Sequence, residues 1–585
     1  MVTNYHTFHI PVMGTGHSID SPIRVAHLGI SSVVSIVDDL LLERIRRHYA
    51  QEFGFPFTSI PRNAPDGRAL RITAYLNLVQ RIVSQKMEAL KRESFGTGSD
   101  KDRYFNLLPT DHRLRKMWAS LLEMNASTEK LEVESTLNQS LIPGSIDVNI
   151  MSKVDHLGWD SHNMPLSAEF SDACAALRGF ANSVVESAVV LSAGFNPRLY
   201  AYLSNFKSFY RDSSGTLKKR IILKVSDFRS AMIQGKFLAK SGLEVSEYRI
   251  ESGLNCGGHA FYSDGRLLPT IMDEFKLRRD ELVTPLKSMV KGYYDKMGWE
   301  YPAQALNEPP KITVQGGIGT AAEQQYLLDA FQVDGTGWGT PFLVVPEATC
   351  VDDATLQLLI HAKEDDLYLS KVSPLGVPFN NLRDTGSEEW TRSRENTDKP
   401  GSACPKGFLK SNTEFTEKPI CTASTEYQLL KIAQIREQEA PEGEKATQIR
   451  GVMAKTCLCD HLGNGSLIKL GIIKERQGPQ AICPGPNLAW FGGPYTLEQM
   501  TDHINGRGES LVPAHRPHMF IKELKMNIDY FEQLCLIADP ADQKYQKYLD
   551  GVRENLMVGI ERLKEIPGLA SEVDKMNLES LIESV

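Results

Sequence analysis

Along the first 350 residues, short apolar runs recur, each ending in glycine or a polar turn. They are Phe8–Met13, Ser32–Val37, Ile146–Ile150, Ser187–Ala193, Arg220–Val225, Tyr248–Glu251, Ile312–Val314 and Gln332–Asp334. Runs without strict alternation of apolar and polar positions are expected of strands buried on both faces, as in a parallel sheet. Between them lie stretches with helical period: Pro22–Leu28, Leu166–Asn182, Ala231–Ser241 and Ala321–Phe331. Eight strands in alternation with helices predict a (β/α)8 TIM barrel. Two longer charged stretches, at about 40–140 and 269–305, read as helical insertions. The second either covers the barrel mouth or is a solvated helix pair.

After Pro346 the pattern changes. Asp352–Ala362 reads as helix, Leu367–Val372 as extended chain, and Asp384–Gly401 has no period. Cysteines concentrate from Cys404 to Cys483, and the chain from Thr501 onward is mostly helical. The expected organisation is therefore a barrel over 1–350, a cysteine-containing region over 351–500 and a helical tail over 501–585. The expected fold class is α/β with a mainly helical C-terminal region, and no repeat of 20–50 residues is visible.

At 585 residues the chain exceeds what one hydrophobic core organises. A formal charge of -8 offers no general attraction for nucleic acid or anionic lipid, so neither is an expected partner. There is no apolar run of about 18 residues and no basic leader followed by an apolar core, so a cytoplasmic protein without membrane spans is expected. Nine cysteines are few for a disulfide scaffold, and five of them fall between 404 and 483. In a reducing compartment that clustering favours a metal or iron–sulfur site over disulfides.

Glycines end the last two predicted strands: Gln315-Gly316-Gly317-Ile318-Gly319-Thr320 and Gly335-Thr336-Gly337-Trp338-Gly339-Thr340. Without a Cβ in the way, backbone N–H groups can point at an anion, and a helix start adds a favourable dipole. Neither GxxxxGK[ST] nor GxGxxG fits these turns, whereas adjacent strand ends that meet one phosphate are what a barrel offers after strands seven and eight. The alternative is a pair of ordinary tight turns. The first predicted strand stops at Gly14-Thr15-Gly16-His17, and other candidates at strand ends are Asn149, Lys153 and Gly257-Gly258-His259. An imidazole such as His259 can hold or release a proton near neutrality; the alternative is a structural loop histidine.

Five of these pieces, in order, carry a resemblance to the nitronate monooxygenase (2-nitropropane dioxygenase-like) group of FMN-dependent TIM-barrel oxidoreductases. They are IPVMGTG, IDVNIM, Gly257-Gly258-His259, VQGGIGT and DGTGWGTPF, and the resemblance covers about residues 1–350. It implies that Gln315, Gly316, Gly317, Gly337, Trp338, Gly339 and Thr340 hold the FMN phosphate, with Met13, Gly14, Asn149, Lys224, Gly257 and Gly258 also at the cofactor. His259 and Lys224 are the implied catalytic residues, Lys224 by stabilising a reduced, negatively charged ring. Trp338 packs beside the cofactor or wedges its loop against the C-terminal region. The chain departs from the group directly after the histidine, where Ala260-Phe261-Tyr262 replace a further glycine. The implied substrate is thus described only as a small organic molecule, with its electron donor or acceptor unknown.

The cysteine spacings match neither a C-x2-C-x2-C ferredoxin run nor a paired C-x2-C zinc ribbon. Cys404, Cys421, Cys483 and one of Cys457 or Cys459 would supply four thiolates for a [4Fe–4S] cluster that exchanges electrons with the flavin. A structural zinc site, with His461 as an optional ligand, and unligated cysteines are the alternatives; the context of His461 otherwise reads as a turn. Cys174 and Cys535 read as core residues. Two further functions stay open: a flavin-free barrel lyase or isomerase acting on a phosphorylated substrate, and an auxiliary partner protein of a biosynthetic complex. A homo-oligomer is also open.

Overall fold

The computed structural model describes residues 5–152, 154–158, 164–192, 194–395, 397 and 399–575. Lys153, the predicted strand end at Ala193 and the last part of the helical tail lie outside them. Eight strands, β1 (Phe8–His9), β2 (Ser32–Ser35), β3 (Ile146–Ile150), β4 (Ala188–Leu191), β5 (Arg220–Val225), β6 (Val245–Glu251), β7 (Lys311–Gln315) and β8 (Gly335–Gly337), run parallel in one sheet. Their spatial order follows the chain, and β1 pairs with β8 through Phe8 and Thr336. A single parallel bridge between Ile10 and Ser32 draws β1 and β2 together, with Ile10 N donating to Ser31 O at 2.9 Å and Val33 N to Ile10 O at 3.0 Å. The result is a nearly closed (β/α)8 barrel. Every residue of β2, β3 and β4 is buried, the condition that the continuous apolar runs anticipated.

Several boundaries differ from the expectation. β1 stops short of Met13 because Pro11 has no N–H to extend the ladder. The eighth strand is not Gln332–Asp334 but the glycine segment itself. Gln332 turns through φ +55° after helix Ala321–Ala330, and Gly335–Gly337 form the strand beside Thr313 and Gln315. Glycine suits that position because a Cβ on Gly335 would stand 3.0 Å from Thr7 O.

The first insertion contains helices Asp39–Glu52, Gly67–Arg92, Asp100–Leu107, Arg113–Glu123 and Thr128–Gln139. Asp38 caps the first of them, accepting from Leu41 N at 3.0 Å. Arg68 and Arg71 both reach Asp39, at 2.6 Å each, and tie the second helix to the end of β2. The second insertion is helical as well, with Leu268–Leu277, Thr284–Met297 and Ala303–Leu306.

Beyond the barrel, β9 (Leu367–Ser370) and β10 (Phe379–Leu382) form an antiparallel pair. β10 reaches over the barrel mouth: Asn380 N donates to Gly258 O and Ala260 N to Pro378 O, both at 2.9 Å. Helix Leu458–Lys469 lies in the same layer, so His461 sits within a helix and not on a turn. A separate apolar cluster of Phe379, Phe408, Leu409, Leu458 and Leu462, with Cys457, Cys459 and Cys483, fills the space between this layer and the barrel. Helices Met519–Leu536 and Gln543–Lys564 pack on helix Leu268–Leu277 at the flank. Cys174 is buried and Cys535 half-buried against the main core.

Candidate functional site

A cavity of about 260 Å³ lies at the C-terminal ends of the strands, where barrels carry their chemistry. Asn149 of β3, Lys224 of β5, Glu251 of β6, Gln315 of β7 and Gly337 of β8 reach it from below. Its walls are the loops after β1 (Met13, Gly14, Thr15, His17), after β6 (Asn255 to His259) and after β7 and β8 (Gly316, Gly317, Gly339, Thr340). Leu375, Phe379, Phe408, Leu409, Leu458, Leu462, Cys459 and Cys483 of the C-terminal half close it from above.

Strand register makes the polar floor. Glu251 and Gln315 are cross-strand partners, and Gln315 Nε2 donates to Glu251 Oε1 at 2.7 Å. Lys224 Nζ meets the other carboxylate oxygen of Glu251 at 2.7 Å. Glu251 was not among the residues expected from sequence; its position as the charged last residue of a barrel strand is the signal that marks it. Asn149 is buried, and its Oδ1 makes no hydrogen bond within the protein.

The loop after β7 needs its glycines. Gly316 has φ +117° and Gly317 φ +76°, and a Cβ on Gly317 would stand 2.1 Å from Asn255 Nδ2. At the helix start that follows, Glu323 already occupies the amides: its Oε2 accepts from Gly319 N at 2.8 Å and Thr320 N at 3.1 Å. Its Oε1 accepts from Arg516 Nη1 and Met519 N, both at 2.7 Å, while Arg516 Nη2 donates to Gly317 O at 2.7 Å. The capping box thus takes the helix-start donors for itself, and the backbone still turned to the cavity is that of Gly316, Gly317, Gly337, Gly339 and Thr340. The Thr340 hydroxyl oxygen accepts from Gly485 N at 2.9 Å, joining the β8 turn to the roof.

Trp338 is the one predicted cofactor residue off the cavity wall. Strand side chains alternate in direction, so with Gly337 facing inward its neighbour faces out. Its indole is 1% exposed, donates from Nε1 to Gln324 Oε1 at 2.8 Å and stands edge-on to His503 with centroids 5.9 Å apart. It wedges the turn against the C-terminal region.

His259 faces the cavity, with Nε2 2.7 Å from Ser373 Oγ and its ring edge-on to Phe379 at 5.0 Å. A bridge between His259 and Phe379 fixes the loop to β10. His17, also on the wall and unassigned from sequence, is pushed down to about 4 by burial and is neutral near pH 7. Burial pushes the Cys483 thiol up to about 12 despite the amides of Gly14 and Gly258 beside it, and holds the Cys256 and Cys459 thiols up as well.

The expected metal centre does not assemble. Among the described residues no three His, Cys, Asp or Glu side chains are grouped to hold a metal ion. Cys483 and Cys459 turn to the cavity, Cys457 is buried in the roof, Cys404 is half-buried and Cys421 is buried. The neighbouring Cys421, above all, holds the Cys404 thiol down to about 7, and Cys404 in turn pushes Cys421 up. His461, optional in the zinc alternative, is taken up by Ser387 Oγ at 2.8 Å from its Nδ1, and its ring stands edge-on to Trp390.

No protein-family model matches the chain, and no curated protein does. Among solved structures it is similar to FabK from Thermotoga maritima, at 13% identity over 70% of this chain and 85% of that one, with a TM-score of 0.29. The enoyl reductase domain of MlnA from the macrolactin biosynthesis cluster of Bacillus amyloliquefaciens gives 15%, 74%, 87% and 0.31 in the same terms. Nitroalkane oxidase from Streptomyces ansochromogenes gives 11%, 86%, 95% and 0.34. At such values the reading of the site rests on its own geometry.

Proposed function

We propose that this chain is an FMN-dependent oxidoreductase, related to the nitronate monooxygenases, that acts on a small organic substrate. The observation that carries the reading is the convergence of thirteen of the fourteen residues expected at a flavin and its substrate on one cavity at the barrel mouth. Its donor set suits the group. Backbone lining the cavity at Gly316, Gly317, Gly337, Gly339 and Thr340 would hold the phosphate, and the unsatisfied Oδ1 of Asn149 is an acceptor for the N–H on the polar edge of the ring. Bound FMN would supply two-electron exchange with the substrate.

The protein's own contributions follow from the floor and roof. Lys224 places a cation at the floor, and Glu251 fixes its direction through the 2.7 Å ion pair. His259 holds or moves a proton at Nε2, where Ser373 Oγ is its partner. The apolar roof keeps water from the reacting atoms, which strengthens these electrostatic contacts.

Absorbance of the purified protein, followed by heat release and chromatography of any chromophore, tests the proposal. We expect a yellow protein that releases FMN, and apoprotein that regains the flavin spectrum on titration with FMN. Colourless protein with no affinity for added FMN would sink the reading.

A further inference from the structure

On one wall of the cavity, hydrogen-bonding side chains are left unmet by the protein. Thr15 and His17, on the loop after β1, both line the cavity, and Thr15 Oγ1 and both ring nitrogens of His17 are buried without a hydrogen bond among the described residues. His17 is 1% exposed, so bulk water does not satisfy it, and buried polar groups of this kind call for a partner. The ring is held from two sides: a Cβ on Gly14 would stand 3.0 Å from its Cδ2 and 3.5 Å from its Nε2, and one on Gly465 3.8 Å from its Cε1. Gly14 is itself on the cavity wall, so the Nε2 edge is the one turned that way. His17 O accepts from Cys350 N at 2.8 Å and Ser18 Oγ from Met13 N at 3.0 Å, which fixes the loop. Leu462 of the roof overhangs it, with Cδ2 3.7 Å from the Cβ position of Gly14.

Charge narrows what this wall can take. Histidines aside, the charged side chains on the cavity wall among the described residues are Lys224 and Glu251, which neutralise each other at 2.7 Å. Burial keeps His17 itself neutral near pH 7. A carboxylate set against this loop would lose its hydration and find no cation in return.

We propose that Thr15 and His17 form the polar end of the substrate site and hydrogen-bond one oxygen of an uncharged organic substrate, a role that depends on the flavin reading of the same cavity. The imidazole donates through one nitrogen and the Thr15 hydroxyl through its O–H, and the acceptor they share fixes the tautomer of His17. The apolar body of the substrate lies against Leu458, Leu462 and Phe408 of the roof.

The test uses the full-length, FMN-loaded protein and two probes of similar size, butanone and propanoate, each titrated while the flavin absorbance is followed. Butanone should bind at least about tenfold more tightly than propanoate. His17→Leu should weaken butanone about tenfold, the scale of one hydrogen bond, with FMN affinity, read by fluorescence titration of the apoprotein, unchanged. His17→Gln keeps an N–H donor and should recover part of the loss, which a packing defect alone would not allow. Were the leucine variant not to fold, Thr15→Val carries the comparison, with an expected loss of about threefold. Equal or tighter binding of propanoate overturns the uncharged class, and failure of both probes to bind overturns the site. Unchanged butanone affinity in the variants overturns the role of the loop. Equal losses of butanone and FMN affinity assign the imidazole to the flavin and overturn the proposal as well. A wild-type chain with no affinity for FMN fails before any of these comparisons and sinks the flavin reading, and this assignment with it.

Discussion

Lys224 and Glu251 illustrate how a residue's meaning depends on its neighbour. An ammonium at the cavity floor is half of an ion pair, and the other half is itself held by Gln315. A positive group beside a flavin stabilises the reduced, anionic ring, so its removal should make reduction harder. Lys224→Met is expected to shift the two-electron reduction potential of the FMN-loaded protein about 30 mV more negative, equivalent to ~1.4 kcal/mol. Dye-equilibration potentiometry reads this directly. An unchanged potential would place the cation away from the ring. At the same scale, Trp338 shows what residue type alone leaves open: an indole in a glycine turn suits a cofactor wall or a structural wedge, and only the inward direction of Gly337 selects the second.

Among the elements, helix Met519–Leu536 does more than cover the flank. Its Glu523 reaches the loop after β6, accepting from Ser252 Oγ at 2.6 Å and from Leu268 N at 3.0 Å. Burial raises this carboxyl from 4.5 to about 7. An acid whose folded pKa lies above its unfolded value keeps its proton longer in the native state. Native stability is therefore greatest below the unfolded pKa, falls as pH rises from 4.5 to about 7, and levels above that. The loss across that window is about 3 kcal/mol at most. Glu523→Gln mimics the protonated side chain, whose amide can donate to Ser252 Oγ and still accept from Leu268 N. Thermal unfolding should show the variant gaining on the wild type at pH 8 relative to their difference at pH 5. Parallel midpoints at the two pH values would remove Glu523 from the pH dependence.

In the whole molecule, we propose that the segments 1–350, 351–500 and 501–585 divide roles: barrel floor, cavity roof and flanking support. The roof is joined to the floor by backbone bonds at Gly258 and Ala260 and by Gly485 N to Thr340. The flank reaches the β7 loop through Arg516 and Met519. Leu524, Ile528, Leu556 and Ile560 of the flank are buried in the main core with Leu268 and Ile271. A 1–350 chain would expose the barrel side of these contacts to water, at about 25 cal/mol for each Å² of apolar surface. It is expected to aggregate or to unfold well below the full chain, as judged by sedimentation and calorimetry. A monomer with the full chain's thermal transition would show that the later segments add nothing to barrel stability.

Most of the barrel could be read locally. Strands such as Val189–Leu191 and Ile221–Leu223 are buried on both faces, so their apolar character is continuous and visible without knowing their neighbours. The mouth glycines were legible for a related reason: positive φ at Gly316 and Gly317 is a backbone demand that few other residues meet. What sequence did not specify depends on pairings between distant positions. Register made Glu251 the partner of both Gln315 and Lys224, and pleat direction turned Trp338 outward. The glycines of the eighth turn became a strand by pairing with Thr313–Gln315, where a Cβ on Gly335 would stand 3.0 Å from Thr7 O. Cysteine clustering suggested convergence on a metal, but thiol direction is set by the packing of the roof, which turns Cys459 and Cys483 to the cavity. The chain's local pattern thus determined which backbone could form a barrel with an open, glycine-lined mouth. Tertiary packing decided which side chains share that mouth, because contact between residues hundreds of positions apart is a property of the folded surface and not of either segment.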